Sequence, residues 1–398
     1  MSPLCAEMQN AEPSTSVSAA PSPPNDALTL LVHGVGTVPH ATPGRDAVPG
    51  VGGYRGRVRI AQIAPVWFTV PPRGYGGIEL VVSLLADGLA DRGHDVTLFA
   101  SGGSQTKAEL VSAMEEPPDA ALLGNVWFDA YHALSSYLHT AEFDVVHDHS
   151  GIIGPALGAL LGGTPPVVHT LHGPWSEPSR RYYALLHERV HLVAISAAQR
   201  ADNPSIRYAG TVHNGIDLDE YPLLDEKDDF LVYIGRANPE KGPTVAIEVA
   251  RRAALPLAMI VKRNEPFERA YWDEMVAPAL NDEVEVYEHL SHEAKTDLLS
   301  RARAMVFPIQ WPEPFGLVMV EAMACGTPVV ACPAGAAVEL VEEGVTGFLR
   351  DSIDDLAAAV GRVRECSPVA CRERVARHFS AAAMVEGYEE IYRRIVGG

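Results

Sequence analysis

The stretch Trp311-Pro-Glu-Pro-Phe-Gly-Leu-Val-Met-Val-Glu-Ala-Met-Ala-Cys-Gly-Thr-Pro-Val-Val330 decides how this chain is read. Just before it, Ala304 to Ile309 is a short apolar run that predicts a strand, and Pro312 and Pro314 then hold the backbone extended and out of helix. The pattern predicts a helix that begins near Gly316 and stops at Gly326, with Pro328 preventing its continuation. Pro328 to Ala331 predicts the next strand. The sum is a strand–loop–helix–strand unit whose helix N-terminus faces a pocket.

Two carboxylates punctuate this unit. Glu313 lies in the loop, and Glu321 lies among Leu317, Val318, Met319, Val320, Ala322 and Met323. A helix apolar on nearly every side is buried, and an ionised carboxylate within it is costly unless something satisfies it. A hydroxyl-rich ligand, a buried arginine, or water at the helix edge would each do so. The pattern Glu313-x7-Glu321, with Pro-Phe-Gly after the first glutamate and Glu-Ala-Met-Ala-x-Gly-x-Pro-Val at the second, resembles the retaining glycosyltransferases of family 4. The resemblance runs from about residue 57 to residue 395. It implies an α/β fold of the GT-B type: two Rossmann-like domains facing across a cleft, with a C-terminal helix crossing back to the N-terminal domain. The implied divisions are an extension over 1–56, an acceptor domain over 57–220 joined by a returning helix within 380–398, and a nucleotide-sugar donor domain over 221–379.

Composition is consistent with this. A chain of 398 residues is long enough for two or three domains. The net charge of −20 argues against nucleic acid, whose phosphates need clustered lysine and arginine, and against an anionic membrane surface. No apolar run reaches the roughly 18 residues of a membrane span, and no basic segment followed by an apolar one opens the chain. A cytoplasmic location is therefore expected. The five cysteines are odd in number and lack C-x-x-C spacing, which reads as free thiols in a reducing compartment. Residues 1–56 are rich in Pro, Ser, Ala and Gly and predict disorder; Leu28 to Val32 is too brief to assign.

Along the chain, Val58 to Ala64 predicts a strand, Ile78 to Arg92 a helix closed by Gly93, and His94 to Phe99 a second strand. The loop Val70-Pro-Pro-Arg-Gly-Tyr-Gly-Gly77 ends at the helix start, where free N–H groups favour an anion. Taken alone, a plain strand–helix connection is the more frequent explanation of such a loop. The resemblance implies that Gly76 and Gly77 lie against the donor diphosphate and shape the acceptor side. Glu79 in the first turn reads as an acid complementing the helix dipole. Strands are predicted at Phe143 to His147, Pro166 to Leu171 and Leu192 to Ile195, each ending in polar residues where parallel sheets bind ligands. His147-x-His149 invites a metal, but the two side chains are read as pointing to opposite faces with no third ligand, so none is expected. His172 matches the family histidine that contacts the donor sugar near C6; otherwise it is a hydrogen-bonded histidine at a strand end. Val212-His-Asn-Gly-Ile-Asp217 resembles the segment before the domain crossover, and Tyr221 to Asp229 predicts the linker.

The second half opens with a strand at Phe230 to Ile234, followed by Gly235-Arg236-Ala-Asn-Pro-Glu-Lys241-Gly242 and Pro243 as the first residue of a helix. A glycine-flanked loop with two cations is a diphosphate cradle or a solvated surface; the resemblance implies that Arg236 and Lys241 grip the diphosphate. Strand Leu257 to Val261 leads into Lys262-Arg263-Asn264, where many relatives have a glycine-rich turn; Lys262 reaches the nucleotide or solvent. A strand at Val284 to Tyr287, a helix capped by Ser291, a helix at Ala336 to Glu342, a turn and short strand at Gly344 to Phe348, and helices from Ile353 to Ile395 complete the reading.

The implied reaction moves a hexosyl group from a nucleotide diphosphate sugar, UDP-glucose or a related donor, to a hydroxyl of a small molecule or glycan, with retention and without metal or other cofactor. Arg236, Lys241, Gly235 and the helix N-terminus at Phe315, Gly316, Leu317 and Val318 would stabilise the leaving diphosphate. Glu321 would hold the ribose diol and Glu313 the sugar hydroxyls, with His172 at the sugar's far side. Front-face attack is the implied course, and a double displacement is its alternative. The other readings are a sugar-nucleotide epimerase or phosphorylase-like enzyme on the same frame, and a non-catalytic nucleotide-sugar binder. No oligomeric state is implied.

Overall fold

The computed structural model describes residues 56–74 and 76–397. The expectations for the N-terminal extension fall on residues outside these. Two parallel sheets organise the chain. The first comprises β1 (Arg59–Ile63), β2 (Asp95–Phe99), β3 (Glu109–Val111), β4 (Val145–Asp148), β5 (Val167–Leu171), β6 (His191–Ala194) and β7 (Tyr208–Thr211), in the order β3-β2-β1-β4-β5-β6-β7. The second comprises β8 (Leu231–Arg236), β9 (Leu257–Lys262), β10 (Val284–Tyr287), β11 (Ala304–Phe307), β12 (Val329–Ala331) and β13 (Gly347–Leu349), in the order β10-β9-β8-β11-β12-β13. Strands such as β4, β11 and β12 are buried along their whole length, as parallel strands covered by helices on both faces must be. In each sheet the order reverses beside the first strand, between β1 and β4 and between β8 and β11, so a crevice opens there at the strands' carboxyl ends.

Two strands and five α-helices, Ala197–Asp202 and Pro266–Tyr271 among them, go beyond the sequence reading. β3 is a three-residue edge strand, largely exposed, and β7 is half-buried throughout. The helix Val126–Tyr137 leaves Trp127, Tyr131 and Leu134 exposed, so apolar residues on its wet side blur the helical period. Helices Ile153–Leu160 and Glu177–Leu186 also form, the latter started by a Ser176–Ser179 capping box. Among the described residues, no helix is long and apolar enough to cross a membrane. The four described cysteines are free and buried.

The last helix, Ala381–Val396, belongs in sequence to the second half and packs into the first. Its Met384, Val385, Tyr388, Ile391 and Tyr392 join a core with Ile60, Val81, Leu85 and Leu89. The approach to helix Gly77–Asp91 is close: a Cβ on Gly88 would stand 2.6 Å from Val385 Cγ2. Polar atoms fix the register. Tyr392 Oη lies 2.6 Å from His147 Nδ1, and Thr170 Oγ1 lies 2.8 Å from both His147 Nε2 and Tyr388 Oη. Glu389, 7% exposed, meets Arg92 at 2.7 Å, His94 at 2.8 Å and Arg393 at 3.1 Å.

The chain crosses between halves twice, and the two crossings are hydrogen-bonded to each other: Ile216 N to Phe379 O at 3.0 Å and Ala381 N to Ile216 O at 2.9 Å. Glu339 of the second half reaches the first, accepting from Ala197 N at 2.9 Å, Ala198 N at 3.0 Å and meeting His213 Nε2 at 3.0 Å. Burial alone would raise the Glu339 carboxyl, but these bonds outweigh it and hold it below its ordinary value.

Glu389 behaves in the same way. Burial raises its carboxyl, and the His94 and Arg92 bonds more than offset that and lower it from 4.5. A depressed carboxyl adds stability above its unfolded value and loses it as pH falls through the folded one. Glu389→Gln should therefore cost about 1–2 kcal/mol at neutral pH, discounted for the exposed arginines. Thermal midpoints taken against pH should show that difference closing as the pH drops below 4.5.

Candidate active site

β11 delivers the chain to the loop that ends at Gly316, whose φ of +88° is the left-handed conformation that suits glycine. Helix Leu317–Ala324 starts there, close to the predicted start, and leaves its first N–H groups, those of Leu317 and Val318, without intrahelical partners. Met319, Val320, Ala322, Met323 and Ala324 are all 0% exposed. Glu321 is 6% exposed, and its Oε1 accepts from Tyr221 Oη at 3.1 Å and Lys295 Nζ at 2.8 Å. The protein thus satisfies this carboxylate with a lysine and a tyrosine rather than with an arginine or water. Burial and the adjacent carboxylate push the Tyr221 hydroxyl far above its ordinary range, which makes it a fixed donor.

Glu313 is held by its backbone. Its N–H donates to Trp311 O at 2.9 Å and its carbonyl accepts from Ala336 N at 2.9 Å. Gly335 passes so close that a Cβ there would lie 2.2 Å from Glu313 O. The Glu313 side chain takes the Lys241 ammonium as an ion pair and the Trp311 indole N–H at 3.0 Å, with Lys241 Nζ 4.9 Å from the Trp311 ring centre. Lys241 itself closes a turn capped by Asn238 Oδ1 at 3.0 Å. Gly242 follows at φ +67°, where a Cβ would collide with Pro308 O.

Arg236 ends β8 and donates its Nε to Glu268, a fully buried carboxylate whose other oxygen accepts from Glu265 N at 3.0 Å. Gly235 lets the Tyr233 hydroxyl reach Lys241 O at 3.2 Å; a Cβ there would stand 2.4 Å from that hydroxyl. Lys262 is half-buried as the last residue of β9, beside Arg236 in register. From the first half, Gly77 opens helix Gly77–Asp91 and faces Leu317, whose Cδ1 would lie 3.4 Å from an added Cβ. Gly76 packs its α-carbon against Pro72 and the Glu79 carboxylate, at 2.7 Å and 2.9 Å from an added Cβ. Glu79 does not sit in water completing a dipole: it is 4% exposed, and desolvation raises it to about 7.

His172 is half-buried beyond the end of β5, with Nε2 2.8 Å from His149 Nδ1. Burial, with a smaller contribution from His169, pulls it down to about 3, so it is neutral at physiological pH. The placement of His147 and His149 on opposite faces is corrected by the structure. Residues two apart on a strand project to the same side, and their ring centres are 4.0 Å apart. Both His147 nitrogens are taken by hydroxyls, and no group of three or more His, Cys, Asp or Glu among the described residues is placed to hold a metal ion.

The geometry therefore joins Lys241, Glu313 and Trp311 directly and sets Gly77 against Leu317. Arg236, Glu321 and His172 are each held separately, by Glu268, by Lys295 with Tyr221, and by His149. A small pocket between the halves is lined by Trp175, Gln199 and Asp202 on one side and Glu313, Pro314 and Gly335 on the other. Glu268, Lys295 and Tyr221 were not singled out as site residues by the sequence reading, and His149 was considered only as a metal ligand. Only Glu265-x-x-Glu268 carried a local signal, the spacing of a capping box.

Two family descriptions match in succession: Glycosyltransferase Family 4 over residues 75–220 and Glycosyl transferases group 1 over residues 217–377. The chain belongs to the family 4 glycosyltransferases of the GT-B fold, enzymes that take a sugar from a nucleotide-sugar donor. It is 28% identical over 403 residues to the glycogen synthase of Mycobacterium tuberculosis (strain CDC 1551 / Oshkosh), covering 83% of this chain and 94% of that protein. It is 27% identical over 364 residues to the D-inositol 3-phosphate glycosyltransferase of Mycobacterium sp. (strain KMS), covering 76% and 81%. Among solved structures, AviGT4, a glycosyltransferase involved in avilamycin A biosynthesis, matches with a TM-score of 0.67 at 28% identity, covering 86% of this chain and 98% of that one.

Two outcomes follow from this geometry. Gly335→Ala, at φ +56° with the Glu313 backbone in the way, should displace the Glu313 loop. Turnover should fall at least about tenfold and stability by about 1–3 kcal/mol, read from kinetics and thermal midpoint together. Glu79, at about 7 folded against 4.5 unfolded, keeps a proton the unfolded chain has released, so stability falls as pH rises between those values. Glu79→Gln should gain on the parent across that window, by about 2–3 kcal/mol once above it, in thermal midpoints at about pH 5 and pH 8.

Proposed function

We propose that this glycosyltransferase moves a hexosyl group from UDP-glucose or a related UDP-hexose to a hydroxyl of a small polyhydroxylated metabolite or glycan, with retention and without a metal ion. The observation that carries this reading is the Lys241–Glu313 ion pair beside the open N-terminus of helix Leu317–Ala324. Without donor, Lys241 and Glu313 neutralise each other. A diphosphate, with more negative charge, draws Lys241 to itself and frees Glu313 to accept hydrogen bonds from the sugar hydroxyls. Arg236, anchored through Nε, keeps its two terminal nitrogens for phosphate oxygens. The Leu317 and Val318 N–H groups add donors that need no reorganisation. Glu321 meets the ribose diol through Oε2, the oxygen that Tyr221 and Lys295 do not use.

In the transfer, the bond from the anomeric carbon to the diphosphate oxygen breaks and a bond to the acceptor oxygen forms on the same face. The departing phosphate oxygen takes the acceptor's proton. Glu313, which accepts from the Trp311 indole and from the sugar hydroxyls, acts here as a hydrogen-bonding carboxylate rather than a free nucleophile, which favours front-face attack over a double displacement. Lys241, Arg236 and the helix end supply the charge neutralisation that a metal gives elsewhere. The relatives' names, a glycogen synthase and a D-inositol 3-phosphate glycosyltransferase, support a polyhydroxylated acceptor.

Calorimetric titration with UDP, GDP, ADP and dTDP, each with and without EDTA, tests the donor assignment. UDP should bind tightest, undiminished by EDTA, and binding should be lost in Glu321→Ala. Arg236→Ala and Lys241→Ala should each cost turnover on the order of 3 kcal/mol. Preference for another nucleotide would overturn the donor, EDTA sensitivity the metal-free site, and parental activity in all three variants the site itself.

A further inference from the structure

His149 and His172 follow neighbouring parallel strands, β4 and β5, and their rings meet beyond the strand ends with centres 5.2 Å apart. Two imidazole nitrogens at 2.8 Å require that one carry the proton and the other a lone pair, so only two arrangements exist. The far nitrogen of His149 decides between them. His149 is 2% exposed, and its Nε2 is buried with no hydrogen-bond partner among the described residues. A proton there would be a buried N–H without an acceptor, a costlier state than an unfilled lone pair. His147, whose ring is tilted against that of His149, does not supply the missing acceptor, because Tyr392 and Thr170 occupy both its nitrogens. With the proton on His149 Nδ1, only an unfilled lone pair is left inside, and the contact with His172 is made.

That choice propagates one ring outward. If His149 Nδ1 donates, His172 Nε2 accepts, and the His172 proton must sit on Nδ1, a nitrogen for which the described residues supply no hydrogen bond in this half-buried side chain. We propose that His149 is a positioning residue that locks His172 in its Nδ1–H form, so that the site offers the donor sugar a neutral N–H and not a lone pair. The inference rests on the reading of His172 as a sugar contact. Burial works in the same direction, holding both rings neutral across the physiological range, so no ionised form competes with the lock. A sugar oxygen, whether of a hydroxyl or a carboxylate, fits such a donor; a sugar ammonium does not.

The test uses the full-length protein labelled with nitrogen-15 histidine, read by long-range proton–nitrogen correlation and assigned with the His149→Leu, His149→Asn and His172→Asn variants. In the donor-free parent, His172 should show a protonated Nδ1 and an unprotonated Nε2. His149→Leu should release that preference and lower kcat/KM for the sugar donor about tenfold, the value of one hydrogen bond. His149→Asn, whose amide N–H falls near the lost Nδ1–H, should restore most of it. Thermal midpoints confirm that the variants are folded. A proton on His172 Nε2 in the parent overturns the proposal, as do equal losses in the Leu and Asn variants. Absence of transfer from every nucleotide sugar would overturn the proposed reaction instead, and the donor-free tautomer would still decide this inference.

Discussion

A carboxylate in a helix with no wet side is the constraint around which the second half is built. Helix Leu317–Ala324 is apolar and buried on nearly every face, so Glu321 would cost several kcal/mol if left alone. Lys295 and Tyr221 answer it from two other elements, and Tyr221 is in turn tied down because Arg372 donates to its carbonyl, to Leu218 O and to Ala324 O. One buried charge thereby fixes the linker, the helix His292–Arg301 and the helix Pro368–His378 around the element whose N-terminus opens to the cleft. A hydrophobic residue in place of Glu321 would pack more cheaply.

The same economy holds at the cations. Neither Lys241 nor Arg236 waits in solvent; each leans on a carboxylate, Glu313 and Glu268. The two pairs differ in kind. Glu268 is fully buried and bonded at both oxygens, so Arg236 is fixed through one nitrogen. Glu313 is reached only by side chains that can move away, so Lys241 can exchange partners. On the proposed reading, the pairing keeps an anion site ready in a strongly acidic protein: its local charges cancel until a stronger anion arrives.

Much of this was legible in the sequence. β1, β2, β4, β5, β6 and β8 to β12 are apolar runs closed by Gly, Pro or polar residues, and nearly all fall within two residues of expectation. β3 was not, because three exposed residues at a sheet edge carry no pattern. β7 hides because Gly210 sits where a side chain would crowd Ile391, at 3.0 Å from an added Cβ. Helix Val126–Tyr137 was lost because its wet side is as apolar as its dry one. At the site, Glu313, Glu321, Arg236 and Lys241 stood out because short-range spacing and family likeness mark them. Their partners did not, because Tyr221 is 100 residues from Glu321, Glu268 is 32 from Arg236, and Lys295 is 26 from Glu321. The His147–His149 placement failed on a matter of strand geometry, not of pattern.

Glu339 gives the relation between the halves a definite character. One carboxylate of the second half receives two backbone N–H groups from the start of helix Ala197–Asp202 and meets His213, all from the first half. These contacts have little slack: a rotation that lengthens one by an ångström breaks it, and the others share the same rigid acceptor. A rotation of one half against the other that opens one of these contacts strains the other two with it, since all three end on the Glu339 carboxylate.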